Sequence, residues 1–492
     1  MSATVNEAAP QRGFFGHPSG LATLFFTEAW ERFSYYGMRV LLVLFLSSAV
    51  VEGGLGLDKG LSSSIVSVYG SLIYMSGLVG GWVADRLFGA QRSVLYGAAI
   101  IMLGHIAMAI PLGGGPVFVG MFLVIAGTSL LKPNISTAVG GLYEKGDTRR
   151  DAGFSIFYMG INLGSFAGIT IAGWLGQKIN WHLGFGAAAV GMAIGLVVYI
   201  AFRKNLGAQT AVAPNPLSDD EKAKVYTRIG LGVAALVVVL AVLYATDLLS
   251  ANLLINSVTI LSIALPVWYF TLMLRSPLTD ADEKSRVRAY IPLFIAATLF
   301  WMIFEQAANV LALYAEERTR NTVFGWEFPS SWFQSVNPVF VLLFAPIVAT
   351  VWVKLGRRQP STARKFAVAM VLIGVSFLLL VLAANAGDEL GKVSPLWLLA
   401  VYGVQTIGEL LLSPVGLSAT SKVAPKAFTS QMMALWFLSS AAGLGIAAQL
   451  VPLYGVWSDE AYFGMFGGAA VLFAVLLWVG SNKIRTAMRG VE

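Results

Sequence analysis

The sequence predicts an all-α membrane protein that crosses the bilayer fourteen times, with its spans grouped six, two and six. Three observations carry that expectation: too few charges to cover a water-facing surface, fourteen long apolar runs, and basic residues gathered in alternate loops. The 492 residues are 57% hydrophobic and only 12% charged, whereas a soluble domain carries roughly a quarter charged residues. Such a chain can cover itself against lipid.

A membrane-crossing helix needs about 20 mostly apolar residues. Runs of that kind fall near 22–49, 63–85, 93–111, 117–141, 154–176 and 183–202. A polar linker follows, and then two more runs near 225–246 and 252–274. The last six lie near 288–315, 331–354, 365–385, 395–421, 429–451 and 462–482. The expected organisation is therefore a cytoplasmic tail (1–21), a six-helix bundle (22–202), a linker with two extra spans (203–287), a second six-helix bundle (288–482) and a cytoplasmic tail (483–492). Six helices per half is the plan of transporters whose halves rock about a site at the bilayer midplane.

Orientation follows from Lys and Arg, which favour cytoplasmic loops. With the N-terminus inside, 25 of the 33 Lys and Arg fall in inside segments, 5 in outside loops and 3 within spans. Both termini are thus expected in the cytoplasm. The net charge of +7 is a topology signal, and no nucleic-acid partner is implied. The first twenty residues hold no apolar core and read as a retained tail, not a signal peptide. Cysteine is absent, which excludes disulfides, thiolate metal sites and cysteine nucleophiles. His17, His105 and His182 never stand at the i, i+4 spacing of a helical metal pair. No metal, cofactor or catalytic residue is expected.

Ionisable residues inside spans cost several kcal/mol unless paired or wet, so each is a functional candidate. They are Glu28, Glu31, Arg32, Arg39, Lys132, Glu305 and Glu409, with Asp85 at a span end. Glu28, Glu31, Arg32, Tyr35 and Arg39 stand at i, i+3, i+4, i+7 and i+11. On a helix they share an arc of roughly 100°, with Tyr36 at its border, along a stripe about 16 Å long. A structural ion-pair cluster is the plain alternative, but small residues pack membrane helices without charge. The chemistry suits proton coupling. A carboxylate facing Arg stays ionised, and protonating it releases the Arg for another partner.

Lys132 precedes Pro133, so a kink beside a buried cation is expected. Pro338 and Pro414 are expected to interrupt the spans that hold them. The cations within spans lie in the first half of the chain, and the second half contributes only acids. A zwitterion held between the halves would direct its carboxylate to Arg39 and Lys132 and its ammonium to Glu409. That favours an amino acid or peptide over a sugar. Tyr35, Tyr36, Tyr74, Trp301 and Trp436 are candidate pocket walls, each with ordinary packing as the alternative.

Four motifs then carry a resemblance. GLVGGWVADRLFGAQRS (77–93) resembles the loop motif of the major facilitator superfamily, and Asp85 and Arg86 there look like conformational-lock residues. EAWERFSYY (28–36) resembles the ExxERFxYY motif of the proton-dependent oligopeptide transporters, the POT or PTR family. FYMGINLGS (157–165) and GELLLSPVGLS (408–418) are similar to two further motifs of that family, and the inserted pair of spans resembles its bacterial members.

The resemblance implies a major facilitator fold and import of di- and tripeptides with protons by alternating access, in a bacterial inner membrane, by a monomer. It implies that Glu28, Glu31 and Arg32 couple protons, with Glu305 as a salt-bridge partner and second protonation site. It implies that Arg39 and Lys132 hold the peptide carboxylate, that Glu409 with Asn337 holds its amino terminus, and that Asn162 bonds its backbone. Tyr36, Tyr74, Trp301 and Trp436 would wall the pocket. The histidine that animal relatives carry in the second span is missing, and His105 is read as packed, so coupling would rest on carboxylates. The proton is the only coupling ion expected, and the partners are small peptides, protons and the bilayer. Competing readings are a proton-coupled carrier of nitrate or an amino-acid-like solute and a nutrient sensor that does not transport. A membrane-embedded protease would need His-rich ligands or a Ser–His pair within the spans, and neither is visible.

Overall fold

Long apolar stretches without water must satisfy their own backbone groups, and the helix does so within one segment. The computed structural model describes residues 13–144, 147–207, 210–389 and 391–491. The expected N-terminal tail therefore lies largely outside the described residues. The helices are α1 (Ser19–Ser47), α2 (Lys59–Val83), α3 (Ala90–Ala109), α4 (Gly114–Gly140), α5 (Arg150–Lys178), α6 (Trp181–Phe202), α7 (Asp219–Ala245) and α8 (Ala251–Arg275). They continue with α9 (Ala281–Phe304), the short α10 (Val310–Glu317), α11 (Val336–Leu355), α12 (Thr362–Ala384), α13 (Pro395–Val423), α14 (Thr429–Leu450) and α15 (Asp459–Ala487). A two-residue hairpin, β1 (Thr322–Val323) with β2 (Trp326–Glu327), sits in the loop after α10.

Thirteen of these segments are long and apolar enough to cross a membrane, with α9 and α10 counted as one. Helix α1 is the fourteenth. Its 29 residues are ample, but Glu28, Glu31, Arg32 and Arg39 set it apart from the apolar thirteen. All fourteen expected spans are thus helices.

Polar caps mark the ends. Asp280 and Glu283 form a reciprocal capping box at the start of α9, and Ser250, Ser394 and Ser458 accept from the first turns of α8, α13 and α15. Glycines allow close crossings. A Cβ at Gly97 of α3 would lie 2.6 Å from the Gly127 carbonyl of α4, and one at Gly374 of α12 would lie 2.8 Å from the Gly467 carbonyl of α15. These are small-residue contacts of the kind that join helices in lipid.

Two expectations about proline change. Pro338 sits in the first turn of α11, where its missing N–H removes no helical bond, and Pro346 is the proline inside that helix. Pro414 lies inside α13, which stays helical throughout. Helix α4 also continues through Pro133. The Ser129 carbonyl that Pro133 cannot engage meets the backbone of Gly80 on α2, where a side chain would clash with it. The pronounced interruption has no proline. It is the turn Glu305–Ala308 between α9 and α10, wound as a tighter 3₁₀ helix, with Asn309 after it at φ −133°, ψ −82°.

Two compact units emerge from the chain's contacts. One holds residues up to Gly37 with Ser76–Gly168 and Phe185–Thr227, and the other holds Met38–Met75, Ile169–Gly184 and the chain from Arg228 onward. The boundaries pass through α1, α2, α5, α6 and α7. The second unit therefore contains the C-terminal part of α1, the N-terminal part of α2, the end of α5, the start of α6 and most of α7 together with α8–α15.

Candidate functional site

In the first unit, α1 turns Glu28, Glu31 and Arg32 into the helix packing. They are 3%, 0% and 3% exposed. Arg32 Nε lies 2.9 Å from Glu28 Oε1 and 2.5 Å from Glu31 Oε2. These contacts are ionic and poorly aligned as hydrogen bonds. Glu28 Oε2, both Glu31 oxygens, and Arg32 Nε and Nη2 are buried without an aligned partner among the described residues. The guanidinium also stands 5.5 Å from the centre of the Tyr35 ring, within cation–π range. Lys132, half-buried on α4, acts electrostatically on Glu31. Two acids thus share one firm guanidinium, with a lysine charge nearby.

Tyr36 packs edge-on to Tyr35, 5.1 Å between ring centres. Asn162 on α5 is buried and donates to the Tyr158 carbonyl one turn back at 3.0 Å. Asp85 and Arg86 lie in a widened turn of helix, Ala84–Phe88, which ends at Gly89 with φ +76°. Only glycine adopts that angle without strain. The linker after α6 is stitched to this turn: Asn215 and Leu217 donate their backbone N–H groups to the Asp85 and Arg86 carbonyls, each at 3.1 Å. Arg86 reaches Glu221 at 3.8 Å.

In the second unit, the helix break carries Glu305. Glu305, 5% exposed, pairs through Oε2 with Arg39 Nη2 and accepts at Oε1 from the Tyr74 hydroxyl at 3.0 Å. Asn309 donates to Ser67 Oγ at 2.8 Å and caps α10 through Val310 N–H. The broken helix is therefore bonded to both α1 and α2. On α13, Glu409 Oε2 accepts from Asn337 Nδ2 at 3.1 Å, and the same amide donates to Thr406 Oγ1 at 3.0 Å. Among the described residues no Lys or Arg forms a salt bridge with Glu409. Trp301 stands edge-on to Phe300 and Phe304. Its indole N–H is buried without a partner among the described residues. Trp436 lies so close to Gly416 of α13 that a methyl there would overlap its ring.

Three groups of expected residues are thus brought together: Glu28 with Glu31, Arg32 and the Lys132 charge; Arg39 with Tyr74 and Glu305; and Asn337 with Glu409. Sequence reading missed Thr406 and Asn309. Thr406 stands three residues before Glu409 and Asn309 four after Glu305, so polar residues one turn from a buried acid were the available signal. Among the described residues no cluster of His, Asp and Glu is arranged to hold a metal.

Comparison with known proteins joins this geometry to a family. The PTR2 model, described as the POT family, matches residues 91–465. The chain is 52% identical to the uncharacterized transporter YclF of Bacillus subtilis (strain 168), over 99% of this chain and 98% of the relative. It is 43% identical to a di-/tripeptide transporter of Lactococcus lactis subsp. cremoris, over 98% and 99%. A crystal structure of the peptide transporter POT in complex with sulfate superposes with a TM-score of 0.94 at 52% identity, covering 98% of each chain. The fold is that of the major facilitator superfamily, with fourteen spans, and its relatives are transporters and not enzymes. The protein belongs to the POT family.

Proposed function

We propose that the protein is a symporter that imports di- and tripeptides together with protons by alternating access. The observation that carries this reading is the state of Glu409: a half-buried carboxylate held by the Asn337 amide, with no cation paired to it among the described residues. An acid so placed lacks the charge that would balance it, and a peptide ammonium supplies one. Arg39 gives the opposite pole. Its partner Glu305 is an acid, so protonating Glu305 frees the guanidinium for the peptide carboxylate. Lys132 is the second cation of that pole.

Proton entry is assigned to Glu28 and Glu31. With two carboxylates on Arg32, one can be neutralised while the other keeps the guanidinium balanced. Tyr36, Tyr74, Trp301 and Trp436 serve as walls, and Asn162 bonds the peptide backbone after releasing the Tyr158 carbonyl. Asp85 and Arg86 act as a lock at the cytoplasmic side. Both termini lie in the cytoplasm of a bacterial inner-membrane protein that works as a monomer, with the two bundles and inserted pair of helices bounded as the sequence predicts.

Purified protein in liposomes, given labelled dialanine and an inward acid gradient, should accumulate the peptide above equilibrium, and dissipating the gradient should abolish accumulation. Uptake indifferent to the gradient would overturn the coupling, and no uptake at all would overturn the peptide reading.

A further inference from the structure

The end of α5 carries polar groups to which the transport reading gives no task. Thr170, Gly173 and Gln177 recur at i, i+3 and i+7 and so share one helix face. That face lies on the 3₁₀ turn Ser330–Ser335 that leads into α11. Trp332 Nε1 donates to the Thr170 carbonyl at 3.0 Å. At Gly173 a Cβ would come within 2.5 Å of Ser331 Oγ, so a larger residue there requires the Ser331 side chain to shift.

Gln177 closes the row. Its Nε2 donates to Ser330 Oγ at 2.9 Å and to Glu316 Oε2 of α10 at 3.1 Å, and its Oε1 accepts from Ser331 N–H at 3.0 Å. One amide, used at both ends, therefore ties α5 to α10 and to the turn before α11. Ser330 and Ser331 are 3% and 1% exposed, so the bonds to them are partly sheltered, while the bond to Glu316 is open to solvent. A cavity of about 370 Å³ adjoins them, lined by Leu44, Ser48, Glu52, Asn180, Trp181 and Glu316.

We propose that Gln177 is a positioning residue for the transport cycle: it clasps the gate on the membrane face away from the termini, and opening to that face requires its amide to let go of Glu316, Ser330 and Ser331. The proposal rests on the alternating-access reading above. A neutral amide suits the task. Each of its hydrogen bonds is exchanged for one with water on opening, so the net difference per bond is small and the clasp can be broken and remade in every cycle. Three bonds to two elements still fix a single closed geometry, which a lone exposed pair such as Lys178–Glu327 does not.

The absence of native cysteine makes the test direct. Leu44→Cys puts a thiol at a position 3% exposed beside the cavity, and its rate of maleimide labelling in detergent reads how often the gate parts. Adding Gln177→Ala should raise that rate about tenfold, the loss of two or three modest hydrogen bonds. Gln177→Glu sharpens the test within one protein. Relative to the Leu44→Cys parent at each pH, labelling should stay nearest parental at pH 4, where the new carboxyl and Glu316 are largely protonated, and rise at pH 8, where the two carboxylates oppose each other. A merely structural role gives no such pH profile.

Labelling within twofold of the parent in both variants would overturn the clasp. If Gln177→Ala does not fold, the pH comparison in Gln177→Glu decides alone. Dialanine uptake by the Leu44→Cys parent is measured in parallel. Failure there counts against the peptide reading and leaves the labelling result standing.

Discussion

Helix α1 carries two charged groups that are built differently. Glu28, Glu31 and Arg32 find one another within a single turn of helix, whereas Arg39 finds Glu305 across 266 residues of chain. The first group is unbalanced at its guanidinium: Arg32 faces two acids, the Lys132 charge acts on Glu31 as well, and several buried polar atoms lack aligned partners. The second is balanced one to one and adds the Tyr74 hydroxyl. An unbalanced group can gain a proton and keep an ion pair, because one carboxylate still faces Arg32. A balanced pair cannot lose either charge without leaving the other alone. The first arrangement fits a proton site, and the second fits a latch that opens when its acid is neutralised.

The sharpest way to break that contrast is to remove an acid from the unbalanced group. Glu28→Gln or Glu31→Gln should abolish accumulation of dialanine against a gradient while peptide exchange between the two faces continues without one. A variant that still concentrates peptide would remove the proton role from α1. Because the two carboxylates interact, pH profiles of the single variants will report the pair and not one residue.

For the balanced pair the expected effect is on stability as well as uptake. Arg39→Ala leaves Glu305 buried and uncompensated, a change that costs about 3–5 kcal/mol. The variant should melt well below the parent in detergent. Arg39→Ala combined with Glu305→Gln should recover most of that loss, since neither charge then remains alone. If the double variant is no more stable than Arg39→Ala, the pair is not the latch described. Uptake should discriminate too: Arg39→Ala should weaken peptides with a free carboxylate more than amidated ones, and equal weakening would contradict its role as the carboxylate pole.

The two groups also differ in how far the sequence foretold them. Glu28, Glu31 and Arg32 lie on one helix, and a fixed angle per residue places them together before any fold is known. The spans were legible for the same local reason, and basic residues in alternate loops predict their direction. Pairing Arg39 with Glu305 needs the tertiary fold, and here it was anticipated only through the family resemblance. The break at Glu305–Asn309 left no mark at all, since FEQAAN contains neither Gly nor Pro and reads as helix. Pro338, which does read as a breaker, sits harmlessly in a first turn. Thr406 escaped because a threonine one turn from an acid is common in any helix. Asn337→Ala removes the amide that joins Thr406 to Glu409 and should raise the KM for dialanine about tenfold, one charge-assisted hydrogen bond's worth, with less effect on an N-acetylated peptide. Equal loss for both would detach Asn337 from the amino-terminal pole.

The smallest effect expected comes from an ion pair outside the spans, and it completes the contrast between buried and exposed charge. Between α4 and α5, the Arg149 side chain and backbone N–H bond Asp147 at 2.8–3.1 Å and hold its carboxyl down to about 2, below the usual 3.8. A carboxyl whose value falls on folding stabilises above its unfolded value and loses that contribution only as pH drops toward the folded one. Across pH 5–8 the pair is therefore constant, and a proton-driven cycle working in that range would gain no switch from it. Solvent reaches the pair from the Arg149 side and screens it. Asp147→Asn should accordingly leave the melting temperature within about 1 °C and the pH dependence of uptake unchanged. A shifted pH profile in that variant would mean that coupling reaches the α4–α5 loop, and that burial is not what separates the working charges of this protein from the idle ones.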